Sequence, residues 1–345
     1  YHLLDRTTYM AEQESIFERV AYIVRRLKEF PRLSSGSVFK ALNVLRYGKD
    51  AISLRLLIVL LQFYNKRWDV VYVQYGVNGY IGRFVRDTGI AGCFVLQMRG
   101  SVYAATTKES AARALLCSAD RVLVNSKALL HLVRQAGCPE DGSEVFYTGI
   151  VLNRFPFREE YWCHDSPVKL LSVGRPVSVK GHDVAMRAVQ MLVHKGYDVT
   201  YAIVGGGPLQ GALEKLSAEM GIEDRVHMVG LVPQKKLADY YHAHDLLLHP
   251  SVILPNGSFE GGGSAITEAM ACGLPVIASD NGGMLDFVED GCTGFLFRTG
   301  DPDSLAGVIE QVLTNREELE NIRLEARKRV ERFHDAGVQA GKLGG

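Results

Sequence analysis

The chain has 345 residues, of which 47% are apolar, and its 39 basic residues balance 39 acidic ones. This length and composition allow two domains that each bury a core of their own. A formal net charge of zero excludes the bulk attraction on which nucleic-acid binders and binders of strongly anionic membranes depend, so any anion must be held locally.

The cysteines and the apolar runs indicate neither a metal site nor a membrane span. The longest apolar run, residues 56–64, is only nine residues long and follows Arg55, so it is too short to cross a bilayer. No signal-peptide pattern is present, and because the chain begins with Tyr1 we expect the start of the protein to be missing. Six cysteines without Cys-x-x-Cys or zinc spacing favour reduced thiols in a cytoplasmic protein: Cys93, Cys117, Cys138, Cys163, Cys272 and Cys292.

Strand and helix patterns alternate after an opening of some 65 mostly helical residues. This alternation is typical of parallel sheets covered by helices. Helical patterns include 182–195, 208–220 and the run from Ser264 to Cys272, with Ser264 as a candidate N-cap. The predicted strands are 69–76, 93–98, 121–126 and 143–149 in the first half, and 168–174, 199–207, 225–230, 245–251, 275–279 and 294–297 in the second.

The polar segment 157–167 separates the two sets of strands and reads as an interdomain linker. The second set predicts a complete doubly wound unit. The first set has only four strands, so we expect an opening strand and its loop to be absent from this chain. The charged run 316–333 predicts an amphipathic helix near the C-terminus.

Two cations follow the first strand of the second half. The sequence "SVGRPVSVKG" places Arg175 just after Gly174, and Lys180 just before Gly181. Loops at the carboxyl ends of strands face the ligand crevice of open α/β sheets, and two cations there suit a diphosphate. A solvated turn with ordinary surface charges is the competing interpretation.

The next strand runs into "VGGGPLQG", which lacks the dinucleotide fingerprint. Counted from Gly205, the third required glycine falls on Gln210, and no acidic residue closes the following strand at the expected distance. A nicotinamide or flavin enzyme is therefore not indicated, and we predict no cofactor. The glycines form a tight strand-to-helix turn.

The stretch "FEGGGSAITEAM" combines two carboxylates with three glycines. Glu260 precedes Gly261, Gly262 and Gly263, and Glu268 lies just over one turn inside the predicted helix. Glycines leave a helix N-terminus open, so its backbone N–H groups and dipole can meet a phosphate. The carboxylates would accept hydrogen bonds from sugar hydroxyls. A flexible loop with a capping glutamate is the competing interpretation.

These motifs together resemble the retaining, nucleotide-sugar-dependent glycosyltransferases of family 4, which have the two-domain GT-B fold. The resemblance rests on G-R-x4-K-G, on E-x7-E followed by "AMACGLPVIAS", and on "NGGMLDFVEDGCTGFLF", where Asp286 takes a glutamate position. It extends through "ADRVLVNSKALL" and "FYTGIVLNRF" to nearly the whole chain. "KALNVLRYGKDAISLRLL", "GVNG" and "MRG" resemble the subgroup that builds colanic-acid-type and amylovoran-type exopolysaccharides.

The resemblance implies a role for each residue of the donor site. Arg175 and Lys180 would neutralise the departing diphosphate, and with Glu260 they are the predicted catalytic residues. Glu268 would accept hydrogen bonds from the ribose and Glu260 from the donor sugar, with Glu260 acting either as a binding residue or as a nucleophile. The N–H groups of the three glycines would hold phosphate oxygens or the sugar, and no divalent metal is required.

On the acceptor side, the chain departs from the family pattern. Arg99 stands where many relatives carry a histidine, and an arginine cannot act as a general base, so we assign it contact with the donor sugar or phosphate, or a structural salt bridge. Gln74 and Tyr75 replace an expected His-Phe pair. Gln74, Asn78 and Arg99 are the predicted acceptor-side residues. We expect His242 and His244 to be surface or packing residues and His182 to cap or pack the next helix.

The predicted fold is α/β of the GT-B type: two doubly wound Rossmann-like domains with a cleft between them. The predicted domains are 1–158, on the acceptor side and incomplete, and 159–325, which binds the nucleotide sugar. A helix in 326–345 is expected to cross back to the first domain.

The predicted function is retaining transfer of a hexosyl-type sugar from a nucleoside diphosphate sugar to a glycan or lipid-linked saccharide, in exopolysaccharide or other cell-surface polysaccharide synthesis. Alternatives are a nucleotide-sugar epimerase and a non-catalytic, sugar-nucleotide-binding partner in polysaccharide assembly.

We expect no nucleic-acid partner and a cytoplasmic location, with peripheral association at the inner face of the membrane as a further possibility. Basic residues at the start of the chain could face a lipid-linked acceptor, although a solvated helix surface is the favoured interpretation: Arg25, Arg26, Lys28, Arg32 and Lys40.

Overall fold

The computed structural model describes residues 15–28, 35–74, 78–99, 110–159 and 167–344. Predictions on Arg32, Tyr75 and Cys163, and on most of the 157–167 linker, therefore lie outside the described residues. The described chain divides into two compact units. The first comprises the described residues up to 123 together with 133–144, and the second comprises 124–132 and 145 onward.

The first unit opens with helices that pack around one apolar helix. α1 (Ile16–Leu27), α2 (Ser35–Ala41), α3 (Val44–Tyr47) and α4 (Lys49–Ile52) precede α5 (Arg55–Phe63), which is buried from Leu56 to Leu61. α1, α2 and α4 contact α5. The predicted helical opening is confirmed for residues 15–28 and 35–63.

A four-stranded sheet follows, in the order β1-β2-β3-β4. Its strands are β1 (Trp68–Gln74), β2 (Ala91–Met98), β3 (Arg121–Val124) and β4 (Ser143–Val145), and β1 pairs with β2 in parallel. The helices along this part are α6 (Gly79–Asp87), α7 (Ser110–Leu116) and α8 (Lys127–Gln135). The four strands predicted here are confirmed, although β4 ends well before residue 149.

The second unit is a six-stranded parallel sheet in the order β10-β9-β8-β5-β6-β7. Its strands are β5 (Val168–Val173), β6 (Val199–Val204), β7 (Val226–Gly230), β8 (Leu246–His249), β9 (Val276–Ser279) and β10 (Phe295–Phe297). Helices connect and cover them: α9 (His182–His194), α10 (Gln210–Glu219), α11 (Leu237–Ala243), α12 (Ser264–Ala271) and α13 (Pro302–Thr314). All six strands predicted for this half are confirmed.

The strand order of the second unit reverses between β5 and β8. β5 pairs with β6 on one side and with β8 on the other, so the connection after β5 leads to β6 and the connection after β8 leads to β9 in the opposite direction. In open α/β sheets, ligands bind outside the carboxyl ends of the strands at such a switch point. The loops after β5 and β8 are therefore where a site is expected.

The C-terminal segment forms two helices instead of one. α14 (Leu319–Phe333) is followed by α15 (Ala336–Gly344), with an isolated bridge between Ile150 and Asp335 at the break. The predicted amphipathic helix is confirmed, whereas the predicted domain boundaries and the crossing of the last helix stay predictions. Among the described residues no helix is long and apolar enough to cross a membrane, and five described cysteines are free thiols.

Candidate functional site

The loop after β5 positions Lys180 over the end of that strand. A short 3-10 turn spans Ser178–Lys180 and leads into α9. A Cβ atom added at Gly174 would come within 3.1 Å of the Lys180 Cε, so the absence of a side chain there lets the lysine lie across the chain. Gly174 and Lys180 are thus brought together as the sequence predicted.

Gly181 holds this loop against the end of β8. Its φ is +61°, and a Cβ atom at this position would lie 2.0 Å from the carbonyl oxygen of Pro250. Only glycine satisfies both the left-handed backbone and the close approach. The loops that follow β5 and β8 are therefore in contact at the switch point.

Glu260 lies between two side chains that can carry positive charge. The Lys180 Nζ is 2.5 Å from the Glu260 Oε1, and the His249 Nε2 is 3.2 Å from the Glu260 Oε2. His249 is the last residue of β8 and is buried, and the other two side chains are less than one-fifth exposed. We refer to these three residues as the Glu260 cluster.

The Glu260 cluster keeps its carboxylate ionised. Burial acts to raise the pKa of Glu260, but the charges and hydrogen bonds of Lys180 and His249 outweigh it and lower the pKa to about 2. Glu260 is therefore a fixed acceptor at neutral pH. With so low a pKa it is a weak proton acceptor, which disfavours a role as general base.

The glycine turn leads into α12, which begins at Ser264, the first residue of the predicted helical run. Gly263 is the N-cap and makes no side-chain capping bond, so the prediction of Ser264 as N-cap is wrong. The first bond of the helix runs from the Thr267 N–H to the Gly263 carbonyl, which makes Ser264 the first helical residue. Because glycine has no capping side chain, the N–H groups of the first turn have no side-chain acceptor at this position.

Gly261 and Gly262 precede this N-cap in the same turn. Gly261 is buried. A Cβ atom added at Gly283 would lie 2.7 Å from the Gly261 carbonyl oxygen, so these two backbone segments are in close contact. Gly262 is partly exposed. The geometry permits close approach of a ligand to backbone groups, which is the property predicted for the three glycines.

Glu268 lies inside α12 in an apolar setting. It is 8% exposed, and the Tyr241 hydroxyl donates a hydrogen bond of 2.7 Å to its Oε2. Burial raises the pKa of Glu268, while the hydrogen bond from Tyr241 acts in the opposite direction. The carboxylate is held in one orientation by a neutral partner.

Arg175 contrasts with Lys180 in the same loop. It is exposed, and its guanidinium makes no hydrogen bond or ion pair with a described residue. Its charge is available to an anion outside the carboxyl end of β5. Of the two predicted cations, Lys180 is paired with Glu260, whereas the Arg175 guanidinium has no partner among the described residues.

The predicted acceptor-side residues lie in the first unit, at the carboxyl ends of β1 and β2. Gln74 ends β1, and the Asn78 Nδ2 donates to its carbonyl oxygen at 3.3 Å. Arg99 follows β2, and its Nη2 donates to the Gln97 Oε1 at 3.0 Å. The structure groups these residues at one edge of the sheet, and their assignment to acceptor binding stays a prediction.

Sequence reasoning missed His249 and Tyr241 as partners of the two glutamates. The only signal for His249 is its place at the end of "LLLH", where a polar side chain closes a buried strand. Tyr241 gives no local signal, because it is one of two adjacent tyrosines in "DYYHAHD" and its partner lies 27 residues away. Both residues are recognised only through the fold.

The predictions for the other histidines are confirmed. His182 is buried at the start of α9 with its Nδ1 3.2 Å from the Tyr201 hydroxyl, and burial lowers its pKa to about 4. The His242 Nε2 bonds the Pro156 carbonyl and the His244 Nδ1 bonds the Tyr240 carbonyl, so both rings serve local packing. Across the ranges that the structure describes, no group of three or more His, Cys, Asp or Glu side chains could hold a metal ion.

Known proteins resemble this chain in sequence and in fold. AmsK of Erwinia amylovora, an amylovoran biosynthesis glycosyltransferase, is 28% identical over 96% of this chain and 83% of its own length. WcaL of Escherichia coli K12, provisionally assigned to colanic acid biosynthesis, is 29% identical over 98% and 84%. The structure of Anabaena HepE in complex with UDP and glucose is 22% identical, with a TM-score of 0.69 over 80% of this chain and 76% of HepE.

The fold class predicted from the sequence, α/β of the GT-B type, is confirmed by this structural likeness. The family model described as "Glycosyl transferases group 1" matches residues 156–329, a range that holds the Glu260 cluster, Arg175 and Glu268. This match covers about half of the chain, and the resemblance to the amylovoran and colanic-acid enzymes extends over nearly all of it. The chain belongs to the group 1 glycosyltransferases.

Proposed function

We propose that this glycosyltransferase moves a hexosyl-type sugar from a nucleoside diphosphate sugar to a hydroxyl of a glycan or lipid-linked saccharide, with retention of anomeric configuration. We assign the reaction to the synthesis of an exopolysaccharide or another cell-surface polysaccharide, on the cytoplasmic side. The observation that carries the proposal is the Glu260 cluster at the switch point of the second sheet, in the same unit as the glycine-capped start of α12. The names of AmsK and WcaL support the polysaccharide class.

The diphosphate is proposed to bind through Arg175, Lys180 and the first N–H groups of α12. When the bond between the anomeric carbon and the diphosphate oxygen breaks, its electron pair remains on the diphosphate. Fixed positive groups stabilise this developing charge and lower the barrier. Lys180 is already oriented by Glu260, so little reorganisation is needed when the donor arrives.

The two glutamates are proposed to bind the sugars on either side of the diphosphate. Glu260 accepts hydrogen bonds from hydroxyls of the donor sugar, and Glu268 accepts them from the ribose while Tyr241 fixes its orientation. The new bond forms between the acceptor oxygen and the anomeric carbon. The acceptor proton passes to the departing diphosphate, because Glu260 with its low pKa is a poor base and Arg99 cannot be one.

The first test is a thermal-denaturation screen of the chain with UDP, GDP, ADP and their common sugars, with and without EDTA. A ligand that binds only the native state at a hundredfold excess over its Kd stabilises it by about 2.7 kcal/mol, so binding at this site is measurable. We expect one nucleotide to raise the melting temperature selectively and EDTA to leave the shift unchanged. The shift should disappear in Lys180→Ala and Glu268→Ala and persist in Lys195→Ala, whose lysine pairs with Glu310 on the surface.

The alternatives are separated by following the donor that binds. A transferase consumes it only when a glycan or lipid-linked acceptor is added, and nuclear magnetic resonance of the product should show the anomeric configuration of the donor. Conversion of the donor without acceptor would identify an epimerase. Binding without turnover under every acceptor condition would identify a non-catalytic assembly partner.

A further inference from the structure

Helix α1 exposes large apolar side chains on the surface of the first unit. Phe17 is 82% exposed, and Ile16, Val20, Val24 and Leu27 are also exposed large apolar side chains. Positions 17, 20, 24 and 27 follow the three- and four-residue spacing of one helix face. These five residues are referred to below as the α1 apolar face.

The opposite side of α1 attaches the helix to the first unit. Ile23 is buried, Tyr22 packs against the same core, and the Arg19 Nη1 donates to the Ser53 carbonyl at 3.0 Å. A surface helix of a globular protein normally buries its apolar side and exposes its polar side. Here two arginines, Arg19 and Arg26, lie partly buried on the inner side while the α1 apolar face is in contact with solvent.

The short helices α2 to α4 repeat this arrangement. Their inner residues Ala41, Tyr47 and Ala51 are buried in the core around α5. Their outer side chains are exposed and apolar, and Leu45 is fully exposed at 102%. The exposed apolar side chains of this segment are Phe39, Leu42, Val44, Leu45 and Ile52.

The same segment is strongly basic although the whole chain is neutral. The described residues 15–28 and 35–63 contain two acidic side chains, Glu18 and Asp50, of which Glu18 caps α1 and Asp50 is buried. Arg25, Lys28 and Lys49 are exposed and form no ion pair with a described residue. The segment carries eight basic side chains: Arg19, Arg25, Arg26, Lys28, Lys40, Arg46, Lys49 and Arg55.

We propose that this surface of the first unit docks on an anionic lipid bilayer, with the α1 apolar face inserted among the acyl chains and the basic side chains at the headgroups. Exposed apolar side chains on a basic helical segment are the features that bind the interface of an anionic membrane. A protein partner is disfavoured because eight basic side chains outnumber two acidic ones in the segment, and charged residues are depleted at the core of protein interfaces. This proposal does not depend on the function proposed above.

The test is co-sedimentation of the full chain with vesicles of phosphatidylcholine alone and of phosphatidylcholine with phosphatidylglycerol. We expect binding to the anionic vesicles only, and release at about 0.5 M NaCl because salt screens the headgroup attraction. Phe17→Ser/Val24→Ser should weaken binding at least about tenfold. Arg25→Glu/Lys28→Glu/Lys49→Glu should do the same through charge alone.

Matched controls come from exposed residues of the second unit. Leu324→Ser removes an exposed apolar side chain, and Arg187→Glu/Lys235→Glu/Lys236→Glu reverses three exposed charges; both should bind vesicles like the unmodified chain. Circular dichroism and melting temperature establish that every variant is folded. Equal binding to neutral and anionic vesicles, no binding, or equal losses in the controls would overturn the proposal. A dimer in light scattering that Phe17→Ser/Val24→Ser disperses, without vesicle binding, would assign the surface to self-association and overturn it as well.

Discussion

Glu260 and Glu268 lie eight residues apart in one motif but in opposite electrostatic environments. Glu260 contacts Lys180 and His249, and these groups lower its pKa to about 2 in spite of burial. Glu268 contacts the neutral Tyr241 hydroxyl, and burial raises its pKa. The ionised form of the glutamate side chain is thus stabilised at position 260 and destabilised at position 268.

The difference follows from where each residue lies relative to the strand ends. Glu260 precedes the helix and reaches the loops after β5 and β8, where Lys180 and His249 are placed. Glu268 lies within α12, whose residues from Ala265 to Ala271 are all buried. The two glutamates of the motif therefore lie in different environments. Glu260 belongs to an ionic cluster, and Glu268 is a buried acceptor with a fixed orientation.

Lys180→Met should produce the largest effect on this contrast. The substitution removes the cation from Glu260 and from the proposed diphosphate site, and we expect kcat/KM for the donor to fall about 100- to 1,000-fold. The variant should also be less stable without ligand, because an ion pair that is mostly buried loses one partner. Steady-state kinetics and thermal denaturation measure the two effects.

A double substitution separates the structural effect from the catalytic one. In Lys180→Met/Glu260→Gln the carboxylate charge is also removed, so stability should recover towards that of the unmodified chain while turnover stays low. Lys195→Met breaks a surface ion pair with Glu310 and serves as the control, with little change in either measurement. Full turnover in Lys180→Met would contradict the assignment of Lys180 to the proposed donor site.

The pH dependence of stability should have opposite signs at the two glutamates. The folded pKa of Glu260 is lowered, so its contribution is present above the unfolded value and is lost as pH falls through about 2. Glu260→Gln should therefore lower the free energy of unfolding at pH 7, by up to about 3 kcal/mol from the size of the shift. The gap to the unmodified chain should narrow below pH 4.5.

Glu268→Gln should behave in the reverse way. The folded pKa of Glu268 is raised, so its contribution is present below the unfolded value and is lost as pH rises through the folded one. At pH 7 the variant should be at least as stable as the unmodified chain, and this advantage should fall away as pH is lowered. Urea denaturation between about pH 2 and pH 7 measures both series, and shifts of the same sign in the two variants would contradict the contrast.

The strands could be predicted from the sequence because each is a short apolar run bounded by turn residues. β5, β8 and β9 are buried on both faces, which gives continuous runs such as "LLLH" and "VIAS" without ambiguity. The N-cap of α12 was misplaced because a serine after glycines has the local pattern of a cap, while the backbone places Gly263 there. The local sequence pattern thus identifies α12 as a helix but misplaces its N-cap by one residue.

The site was only partly predictable, for a different reason. Lys180 and Glu260 belong to recognisable motifs, but their direct contact joins residues 80 apart in the chain. His249 and Tyr241 have no motif, and only the parallel sheet and the packing of α11 bring them to the glutamates. The outward direction of the α1 apolar face likewise depends on how α5 packs, which helical spacing alone does not specify.

Tyr241→Phe should produce the smallest of these effects. It tests the environment of Glu268, whose hydrogen-bond partner is neutral. The substitution leaves the buried Glu268 without the donor that now lies 2.7 Å from its Oε2, and we expect a loss of about 1–3 kcal/mol in the free energy of unfolding at pH 7. The pKa of Glu268 should rise further, because the hydrogen bond from Tyr241 opposes the effect of burial. The loss should therefore shrink as pH falls and Glu268 takes up a proton.

Tyr240→Phe is the matched control for this variant. Tyr240 stands next to Tyr241, its ring stacks on His244, and its hydroxyl makes no hydrogen bond with a described residue. Removing that hydroxyl should leave both the urea midpoint and its pH dependence unchanged. No loss in Tyr241→Phe would mean that Tyr241 acts through ring packing alone, and Glu268 would then need another group to fix its orientation for the proposed ribose contact.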